Sequence, residues 1–474
     1  MDPVVTPEEM GAIDAEAPEP VDELIDRAGW ATARAALRLL REIRSSGRWD
    51  GALIYGARVA VLAGKGNNGA DGRSAARFLR RRGVTCEVFD VGGSAPADDS
   101  DRRPGSDYDL IIDACFGTGL RGDFWSDELP VDVGDTPVLA VDIPSGVNGM
   151  TGQTQGRPLP AMATVTFAAL KPGLLFEPGR SLAGRVEVAD IGLDCSRARL
   201  WHLGPADLAR WPKRQPSAHK WGHAVAVVGG GPGMSGAATL TGRAALRAGA
   251  GYVINTRPGP MVGPDPAQPT EAVTVSLDDD WDRLSSQVGR CAAVVVGPGL
   301  DLDDRDTDNA VKRLLRESDA AVVLDAGAIR PDVIETVVGR RSAEKRLPVL
   351  TPHDGEFERL MSSKPGPDRL AAVRRVADSH RAVVVLKGPS TVVAQPDGRA
   401  LISTAGDQRL ATAGTGDVLA GIIGAGLSLG LDSFLAAGLG VELHGRAALR
   451  GRRVGLTAGD LPDLVAELLT SRSQ

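Results

Sequence analysis

A loop near the carboxyl end of the chain, Gly414-Thr415-Gly416-Asp417, combines small residues with one carboxylate. The apolar residues after it recur at spacings of three and four, which predicts that a buried helix begins here: Val418, Leu419, Ile422, Ile423 and Leu427. Backbone N–H groups at a helix start, left uncovered by Gly414 and Gly416, form a site for phosphate oxygens. A carboxylate repels phosphate, so Asp417 needs another task, and a base that removes a hydroxyl proton during phosphoryl transfer would fit. A helix cap beside turn-forming glycines is an equally weighted alternative.

A second glycine-bearing stretch, Gly64 to Gly72, follows an apolar run in the first half of the chain. Its glycines have the GxGxxG spacing of a dinucleotide-binding turn, with an acidic residue about twenty residues later: Gly64, Gly66, Gly69 and Asp90. Taken alone, this pattern predicts a nicotinamide dehydrogenase. Asn67, Asn68 and Asp71 favour another interpretation, because amide and carboxylate oxygens suit a cation or a sugar hydroxyl better than pyrophosphate.

Two further carboxylates, Asp113 and Asp142, lie at the ends of apolar runs, and Ser145 follows the second of them. Such runs predict strands of a parallel sheet, and ligands bind at the carboxyl edge of such sheets. For either aspartate alone, a cap or turn role is at least as probable as a catalytic one. Their recurrence beside the Asn-Asn stretch favours a site.

The elements that must position these residues follow from the same patterns. Residues 21–44 have a helical apolar pattern, acidic early and basic late, and residues 57–62 read as a buried strand followed by a helix from Arg73 to Arg82. Residues 184–193 predict the last strand of a first domain, and the aperiodic stretch from Cys195 to Ser217 places a boundary near residue 200.

The second half contains a series of apolar runs that end in small or polar residues, which predicts a mostly parallel sheet covered on both sides. These runs are residues 224–228, 292–296, 321–324, 349–350 and 383–386. Two of these runs lead to His353 and Lys387. Taken alone, His353 could be a structural histidine and Lys387 a solvated lysine, and either could equally belong to a ligand site. The chain has no GxxxxGK[ST] string, so phosphate binding must use another loop, and Gly414 to Asp417 is the candidate.

Composition limits the class of protein. The chain has 474 residues, a formal net charge of −7 and four cysteines without a CxxC pair. We therefore expect two or three domains, no nucleic-acid partner and no zinc site. The acidic amino-terminal stretch and the lack of a run of about eighteen apolar residues predict a cytoplasmic protein without a membrane partner.

The first half resembles the NAD(P)H-hydrate epimerase domain in the segments Gly64 to Gly72, Asp113 to Leu120, Asp142 to Gly146 and Lys171 to Gly173. The resemblance implies a Rossmann-like domain over residues 1–200 that binds K⁺ through Asn68, Asp113 and Ser145. It implies a catalytic contact at Asp142. The other implied contacts to the hydrated nucleotide are Asn67, Asn68, Gly69, Ala70, Asp71, Gly117, Thr118, Gly119, Leu120, Arg121 and Gly122. Ala70 departs from the glycine that is common there.

The second half resembles the ADP-dependent NAD(P)H-hydrate dehydratase in His219-Lys220, the triple glycine from Gly229, Gly297 to Gly299, Thr351 to His353 and Gly414 to Asp417. The resemblance implies a ribokinase-like domain over residues 201–474, with Asp417 as the catalytic base. The implied hydrate contacts are Ala237, Gly299 and His353, and the implied nucleotide contacts are Lys387, Gly388, Pro389, Ser390, Thr391, Gly414 and Gly416. Gly327 departs from the family pattern, which often has an aspartate there.

Together the two resemblances imply a repair enzyme of the α/β class for NADH and NADPH whose nicotinamide ring has gained water. The first domain would interconvert the R and S hydrates with K⁺, and the second would dehydrate the S form with ADP and Mg²⁺. The expected partners are both hydrates and ADP, and we expect a homo-oligomer. A vitamin or sugar kinase, a nicotinamide dehydrogenase and a non-catalytic nucleotide sensor remain as alternatives.

Overall fold

The structure is a computed structural model that describes residues 1–45, 54–92, 103–120, 122–257, 271–276, 281–338 and 346–471. The chain divides into two compact units, Asp2–Arg199 and Leu200–Gln474 with Met1. The division falls between Arg199 and Leu200, where the sequence predicts a boundary near residue 200.

The first unit alternates strands with helices. In chain order the elements are β1 (Asp2–Val4), α1 (Pro7–Glu16), α2 (Val21–Ser45), β2 (Arg58–Ala63), α3 (Asn67–Arg80), β3 (Thr85–Asp90), β4 (Arg103–Pro104), β5 (Leu110–Ala114), β6 (Phe124–Trp125), β7 (Val131–Asp132), β8 (Val138–Val141), β9 (Gly156–Arg157), β10 (Ala163–Phe167), α4 (Gly179–Ala183) and β11 (Arg185–Ala189). The predicted helix over residues 21–44 is confirmed as α2, and its acidic first turn and basic last turn match the helix dipole.

The main sheet of this unit is parallel, with strand order β11-β10-β8-β5-β2-β3. Alternate residues of β2 face opposite sides of the sheet, as strand geometry requires. Val59 and Val61 pack with α2 in one apolar cluster, and Ala60 and Leu62 belong to another. Both faces are therefore covered, and the carboxyl ends of the strands form one edge where a ligand can bind.

Helix α3 begins at Asn67, whereas the sequence pattern predicts a start at Arg73. The glycines after Gly66 mislead the prediction, because they lie inside the helix and allow it to pack closely. A Cβ atom added at Gly69 would lie 1.9 Å from the carbonyl oxygen of Gly64, and one added at Gly72 would lie 2.6 Å from the Cβ of Ala114. The polar residues Asn67, Asn68 and Asp71 therefore belong to the first turns of α3.

The second unit begins with β12 (Leu200–Leu203). It continues with β13 (Ala224–Val228), α5 (Ser235–Ala248), β14 (Tyr252–Arg257), β15 (Val273–Ser276), α6 (Trp281–Val288), β16 (Ala293–Val296), α7 (Arg305–Glu317), β17 (Ala321–Leu324), α8 (Pro331–Val338), β18 (Val349–Leu350), α9 (Asp354–Met361), α10 (Arg369–Ser379), β19 (Val383–Leu386), β20 (Thr391–Ala394), β21 (Ala400–Ser403), α11 (Thr415–Ser428), α12 (Ser433–Arg450) and α13 (Leu461–Thr470). All five predicted strands of this half are confirmed as β13, β16, β17, β18 and β19.

The sheet of the second unit has the order β12-β21-β20-β19-β18-β17-β16-β13-β14-β15. It is parallel except where β20 pairs with β19 and β21. Helices α11 and α12 are buried along most of their length, and they pack with Val225 and Val227 of β13 in one large apolar cluster. The predicted α/β class and mostly parallel sheet are confirmed.

In the part of the chain that the structure describes, no helix combines the length and the apolar character needed to cross a bilayer.

Candidate active sites

The first unit has a cavity of about 400 Å³ at the carboxyl edge of its sheet. Eight predicted substrate or catalytic residues line it: Asn67, Asn68, Asp71, Gly117, Thr118, Gly119, Leu120 and Asp142. Gly69, Ala70 and Gly122 are not among its lining residues, and Arg121 lies outside the described residues. Helices α1 and α2 form another wall through Met10, Asp14, Leu24 and Ile25.

Asp113 and Ser145, two of the predicted K⁺ ligands, form a buried hydrogen-bonded pair. The hydroxyl and the backbone N–H of Ser145 donate to the two carboxylate oxygens of Asp113 at 2.6 and 2.9 Å. Asp113 is fully buried at the end of β5, and burial raises the pKa of its carboxyl group. The hydrogen bonds from Ser145 and Cys115 act in the opposite direction and lower this pKa. Ser145 also accepts from the backbone N–H of Phe116 at 2.9 Å.

Asn68, the third predicted K⁺ ligand, has a buried side-chain amide. Neither its Oδ1 nor its Nδ2 has a hydrogen-bond partner among the described residues. A buried amide without partners is costly, so this side chain is prepared for a ligand. A Cβ atom added at Gly117 would lie 3.6 Å from the Cγ of Asn68 and 3.2 Å from Oδ2 of Asp142, which explains why the loop between them needs glycine.

Asp142 follows β8 and forms an ion pair with Lys171, whose Nζ lies 2.8 Å from its Oδ1. Lys171 is 1% exposed, and its other donors reach Thr166 Oγ1 and the Phe167 carbonyl oxygen, each at 2.9 Å. Thr166 donates to Asp142 Oδ1 at 3.1 Å. Asp142 has a φ of 67°, which is strained for a residue other than glycine and is typical of functional sites.

Asp71 in α3 is buried in the same cavity wall. Burial, with the nearby charges of Asp142 and Asp14, raises its pKa to about 8. Burial also raises the pKa of Asp14 in α1, and Lys171 acts in the opposite direction. A carboxyl with a pKa near 8 keeps its proton at neutral pH.

In the second unit, α11 begins where the sequence predicts a helix start. Gly414 has a φ of 88°, a left-handed conformation that favours glycine, and Thr415 anchors the turn by donating to the Leu410 carbonyl oxygen at 2.8 Å. Among the described residues, no acceptor is found for the backbone N–H groups of Gly416 and Asp417. The uncovered helix start predicted from the sequence is therefore present.

Asp417 lies beside a cluster of charged groups: Asp325 follows β17, Lys387 follows β19, and Glu356 is in the first turn of α9. Lys387 Nζ is 3.1 Å from Asp325 Oδ1 and 3.6 Å from Glu356 Oε2. Burial raises the pKa of Asp417 to about 7. Repulsion from Asp325 and Glu356 adds to this increase, and attraction from Lys387 opposes it. A Cβ atom added at Gly416 would lie 3.4 Å from Lys387 Nζ, so Lys387 reaches the helix start.

His353 caps α9. Its Nδ1 accepts from the backbone N–H groups of Gly355 and Glu356 at 2.9 and 3.2 Å, and Glu356 returns a bond to its backbone N–H. Because Nδ1 is an acceptor, the ring carries a proton only on Nε2 when it is neutral. Its Nε2 lies 3.5 Å from Glu356 Oε1, and the side chain is 57% exposed.

The remaining predicted residues fall into two groups. Ala237 in α5 lies against Gly299, where an added Cβ would be 2.9 Å from that of Ala237. The second group, Lys387 to Thr391, joins β19 to β20, and Arg369 supports it by donating to the Lys387 carbonyl oxygen at 2.8 Å.

The departure at Gly327 has a local physical cause. An added Cβ there would lie 2.2 Å from the carbonyl oxygen of Leu300, so an aspartate does not fit without movement of the backbone.

Sequence reasoning assigned no role to Asp14, Thr166, Lys171, Glu356 or the buried His444. Lys171 and Thr166 depend on β10, a strand that the sequence analysis does not predict; its alternating Thr residues were the available pattern. Burial lowers the pKa of His444 to about 4, which keeps its ring neutral, and its Nε2 has no partner among the described residues. The sequence around a single histidine or lysine does not show whether its side chain is buried, so these roles become visible only in the fold.

One site pairs carboxylates with a buried lysine, and the other places a carboxylate at an uncovered helix start. Each site lies in a unit built on a mostly parallel sheet. The two sites together define the protein as an α/β enzyme with one site in each unit. The NAD(P)H-hydrate dehydratase family model matches residues 225–470, and the model of the YjeF-related protein N-terminus matches residues 21–103 and 91–173.

Curated relatives match over nearly the whole chain. A bifunctional NAD(P)H-hydrate repair enzyme from Moorella thermoacetica is 36% identical, over 98% of this chain and 96% of the relative. The enzyme of the same name from Escherichia coli K12 is 34% identical, over 82% and 79%. A solved ADP/ATP-dependent NAD(P)H-hydrate dehydratase from Bacillus subtilis is 27% identical with a TM-score of 0.48, over 57% of this chain and 98% of that one. The chain belongs to the family of bifunctional NAD(P)H-hydrate repair enzymes, with an epimerase-type domain before a dehydratase-type domain.

Proposed function

We propose that this chain restores NADH and NADPH from their hydrates through two successive reactions. Residues 1–200 interconvert the R and S hydrates, and residues 201–474 dehydrate the S hydrate while ADP is split into AMP and phosphate. The observation that carries the proposal is the position of Asp417, a partly buried carboxyl group whose pKa is raised to about 7, at a helix start with uncovered N–H groups. Acid–base catalysis is most efficient when the pKa of the group lies near the working pH.

In the dehydratase reaction, Asp417 takes the proton from the ring hydroxyl as the hydroxyl oxygen attacks the terminal phosphate of ADP. The N–H groups at the start of α11 and the ammonium group of Lys387 stabilise the charge on the transferring phosphoryl group. AMP leaves first. The C–O bond of the phosphate ester then breaks more easily than that of the hydrate, because phosphate is a better leaving group than hydroxide. Loss of a proton from the neighbouring ring carbon to solvent restores the ring double bond.

The ligand contacts of the second unit are part of this proposal. Ala237, Gly299 and His353 hold the hydrate. The nucleotide is held by Lys387, Gly388, Pro389, Ser390, Thr391, Gly414 and Gly416. Two observations support these assignments. The start of α11 lies close to Lys387, and the side chain of His353 is 57% exposed.

The substrate of the epimerase reaction occupies the cavity of the first unit. Asp142 is the catalytic group there, because its ion pair with Lys171 keeps a carboxylate at the cavity surface. The contacts are Asn67, Asn68, Gly69, Ala70, Asp71 and the loop from Gly117 to Gly122, of which Gly69 and Ala70 offer backbone rather than lining side chains.

K⁺ fits the oxygen groups beneath this cavity. The Oδ1 atom of Asn68 has no partner, and the buried carboxylate of Asp113 has no cation beside it among the described ion pairs. Asn68, Asp113 and Ser145 would hold the ion. When bound, it would supply positive charge that offsets Asp113 and fixes the ends of β5 and α3.

Mg²⁺ would accompany ADP rather than occupy a site made by the protein. Among the described residues, no group of three or more histidine, cysteine or acidic side chains could hold a metal ion. Asp325 and Glu356 already face Lys387. The phosphates of the nucleotide are therefore the ligands that we assign to Mg²⁺. A homo-oligomer is also part of the proposal, and light scattering of the purified chain measures it.

The test is recovery of the absorbance of reduced nicotinamide from a mixture of R and S hydrates with ADP and Mg²⁺. We expect complete recovery, because the first unit replenishes the S form that the second unit consumes. Asp417→Asn should lower the rate at least 100-fold, since it removes the base. Asp306→Asn, at an exposed position of α7, is the matched control and should keep the rate.

Other outcomes identify the alternatives. A stable phosphorylated product without phosphate release would indicate a kinase. Nucleotide binding without turnover would indicate a sensor, and absorbance change only with an added alcohol and oxidised cofactor would indicate a dehydrogenase.

A further inference from the structure

Two carboxyl groups of the first-unit cavity lie in opposite electrostatic surroundings. Asp142 has the buried ammonium group of Lys171 at 2.8 Å and accepts from the Thr166 hydroxyl at 3.1 Å. Asp71 is 8% exposed, and among the described residues no cation or hydrogen-bond donor reaches its carboxyl group. Two acids whose surroundings differ in this way take the roles of acid and base.

A third carboxyl group reinforces this difference. Asp14 lies in α1, a helix fixed by the capping box between Thr6 and Glu9, and it lines the same cavity. Among the residues that the structure describes, the ionisable groups that line the cavity are Asp14, Asp71, Asp142, Lys171 and Cys115. Three carboxyl groups therefore share one ammonium group, which is already bonded to Asp142. A charge on Asp71 would lie in a buried position near Asp14 and Asp142, and among the described residues Lys171 is the cation of the cavity and is bonded to Asp142, so the protonated form of Asp71 is favoured.

The reaction itself requires one donor and one acceptor. The R and S hydrates differ at the ring carbon that carries the hydroxyl group, and this carbon is bonded to the ring nitrogen. One route to inversion breaks the C–O bond and forms it again on the opposite face. The hydroxyl group needs a proton to leave as water, and the water that replaces it must lose a proton.

We propose that Asp71 is the proton donor of the epimerase reaction, that Asp142 is the acceptor, and that Asp14 holds the proton on Asp71 by repulsion. This rests on the proposed epimerase function. Asp71 protonates the hydroxyl group, the C–O bond breaks, and water leaves while the lone pair of the ring nitrogen stabilises the cation. Water then forms the new C–O bond on the other face and gives its proton to Asp142. One proton has moved from Asp71 to Asp142, and exchange with solvent returns it.

Asp71 and Asp142 touch the reacting atoms in this scheme and are catalytic residues, whereas Asp14 acts through Asp71. Burial and the two neighbouring carboxylates raise the pKa of Asp71 to about 8, which agrees with a donor that is protonated at neutral pH.

The experiment uses the whole chain and the purified R hydrate of NADH without ADP, and it measures formation of the S hydrate by chromatography. Rates are taken at several pH values between about 6 and 10, and the rate without enzyme is subtracted at each. For the wild type we expect kcat/KM to fall about tenfold per pH unit above a pKa of about 8. Asp71→Asn should lose at least 100-fold in kcat and should show no such fall.

Asp14→Asn tests the positioning role, because a structural effect would not shift the profile. Its removal of one negative charge should move the fall in rate to lower pH by about half a unit or more. Its dehydratase rate on the S hydrate with ADP should be unchanged, since that site is in the other unit. Asp22→Asn, at an exposed position in the first turn of α2, is the matched control and should leave the profile in place.

The outcomes separate the two proposals. A wild-type chain that does not interconvert the hydrates contradicts the epimerase function itself. A wild type that interconverts them with a constant rate up to pH 10, or Asp71→Asn with a rate within threefold of the wild type, overturns the donor role alone. Where Asp71→Asn does not fold, the Asp14→Asn profile decides, and an unshifted profile counts against the inference.

Discussion

Burial of Asp417 makes its charge state sensitive to pH near neutrality. In a surface position its carboxyl would be ionised above about pH 4. Here burial, with repulsion from Asp325 and Glu356, raises its pKa to about 7, and Lys387 opposes this only in part. The sequence predicts the residue and its helix start, but not its pKa, because the three groups that set it come from separate segments and meet only in the fold.

We expect the dehydratase activity to rise with pH through this pKa. A base must be deprotonated to accept the hydroxyl proton, so kcat/KM for the S hydrate with ADP should fall about tenfold per unit below a pKa of about 7 and level off above it. Stopped-flow absorbance with the pure S hydrate measures this without the epimerase step. A rate that is flat from pH 5 to about 8 would assign the proton to another group.

At the scale of elements, the long and periodic segments could be predicted and the exceptions have physical causes. Helix α2 and the five buried strands of the second half are found because their apolar periodicity is strong. The start of α3 is missed because glycine normally marks loops, whereas Gly69 serves close packing inside the helix. Strand β10 is missed because its threonines interrupt the apolar run, and with it the sequence loses Lys171 and Thr166 as partners of Asp142.

The glycines around the start of α3 offer a matched pair of substitutions. We expect Gly69→Ala to destabilise the first unit by about 2–4 kcal/mol, because the added methyl group would lie 1.9 Å from the Gly64 carbonyl oxygen. Gly66→Ala should change stability by less than about 1 kcal/mol, since an added Cβ meets nothing within 4 Å. Urea unfolding of the whole chain compares them, and equal losses would mean that close packing does not explain the glycine.

At the scale of the whole molecule, each unit keeps a buried acid that weakens its own fold. A carboxyl whose pKa is raised in the folded state binds protons more tightly there than in the unfolded chain. Between about pH 4 and 7 the unfolded Asp417 has lost its proton while the folded one retains it, so the free energy of unfolding falls as pH rises through this range. Stability is therefore lost where the catalytic group becomes active.

Asp417→Asn should remove this loss. We expect the variant to be more stable than the wild type by roughly 2 kcal/mol at pH 8 in the absence of ligand, and equal to it near pH 4, where the wild-type carboxyl is neutral. Thermal unfolding at both pH values provides the comparison. A separate scan with ADP first identifies the transition of the second unit as the one that ADP shifts, and this transition is then followed without ligand. A variant that is less stable than the wild type at pH 8 would show that the attraction to Lys387 exceeds the cost of burial.

If Asp71 and Asp417 act as proposed, their pKa values also determine which hydrate remains when the chain works away from neutral pH. In alkaline solution we expect interconversion to slow while dehydration continues, so that the S form is consumed and the R form remains. In acidic solution dehydration slows first, and the leftover is an equilibrated mixture of both forms. The ratio of R to S hydrate in the unrepaired material therefore indicates which of the two sites limits the rate.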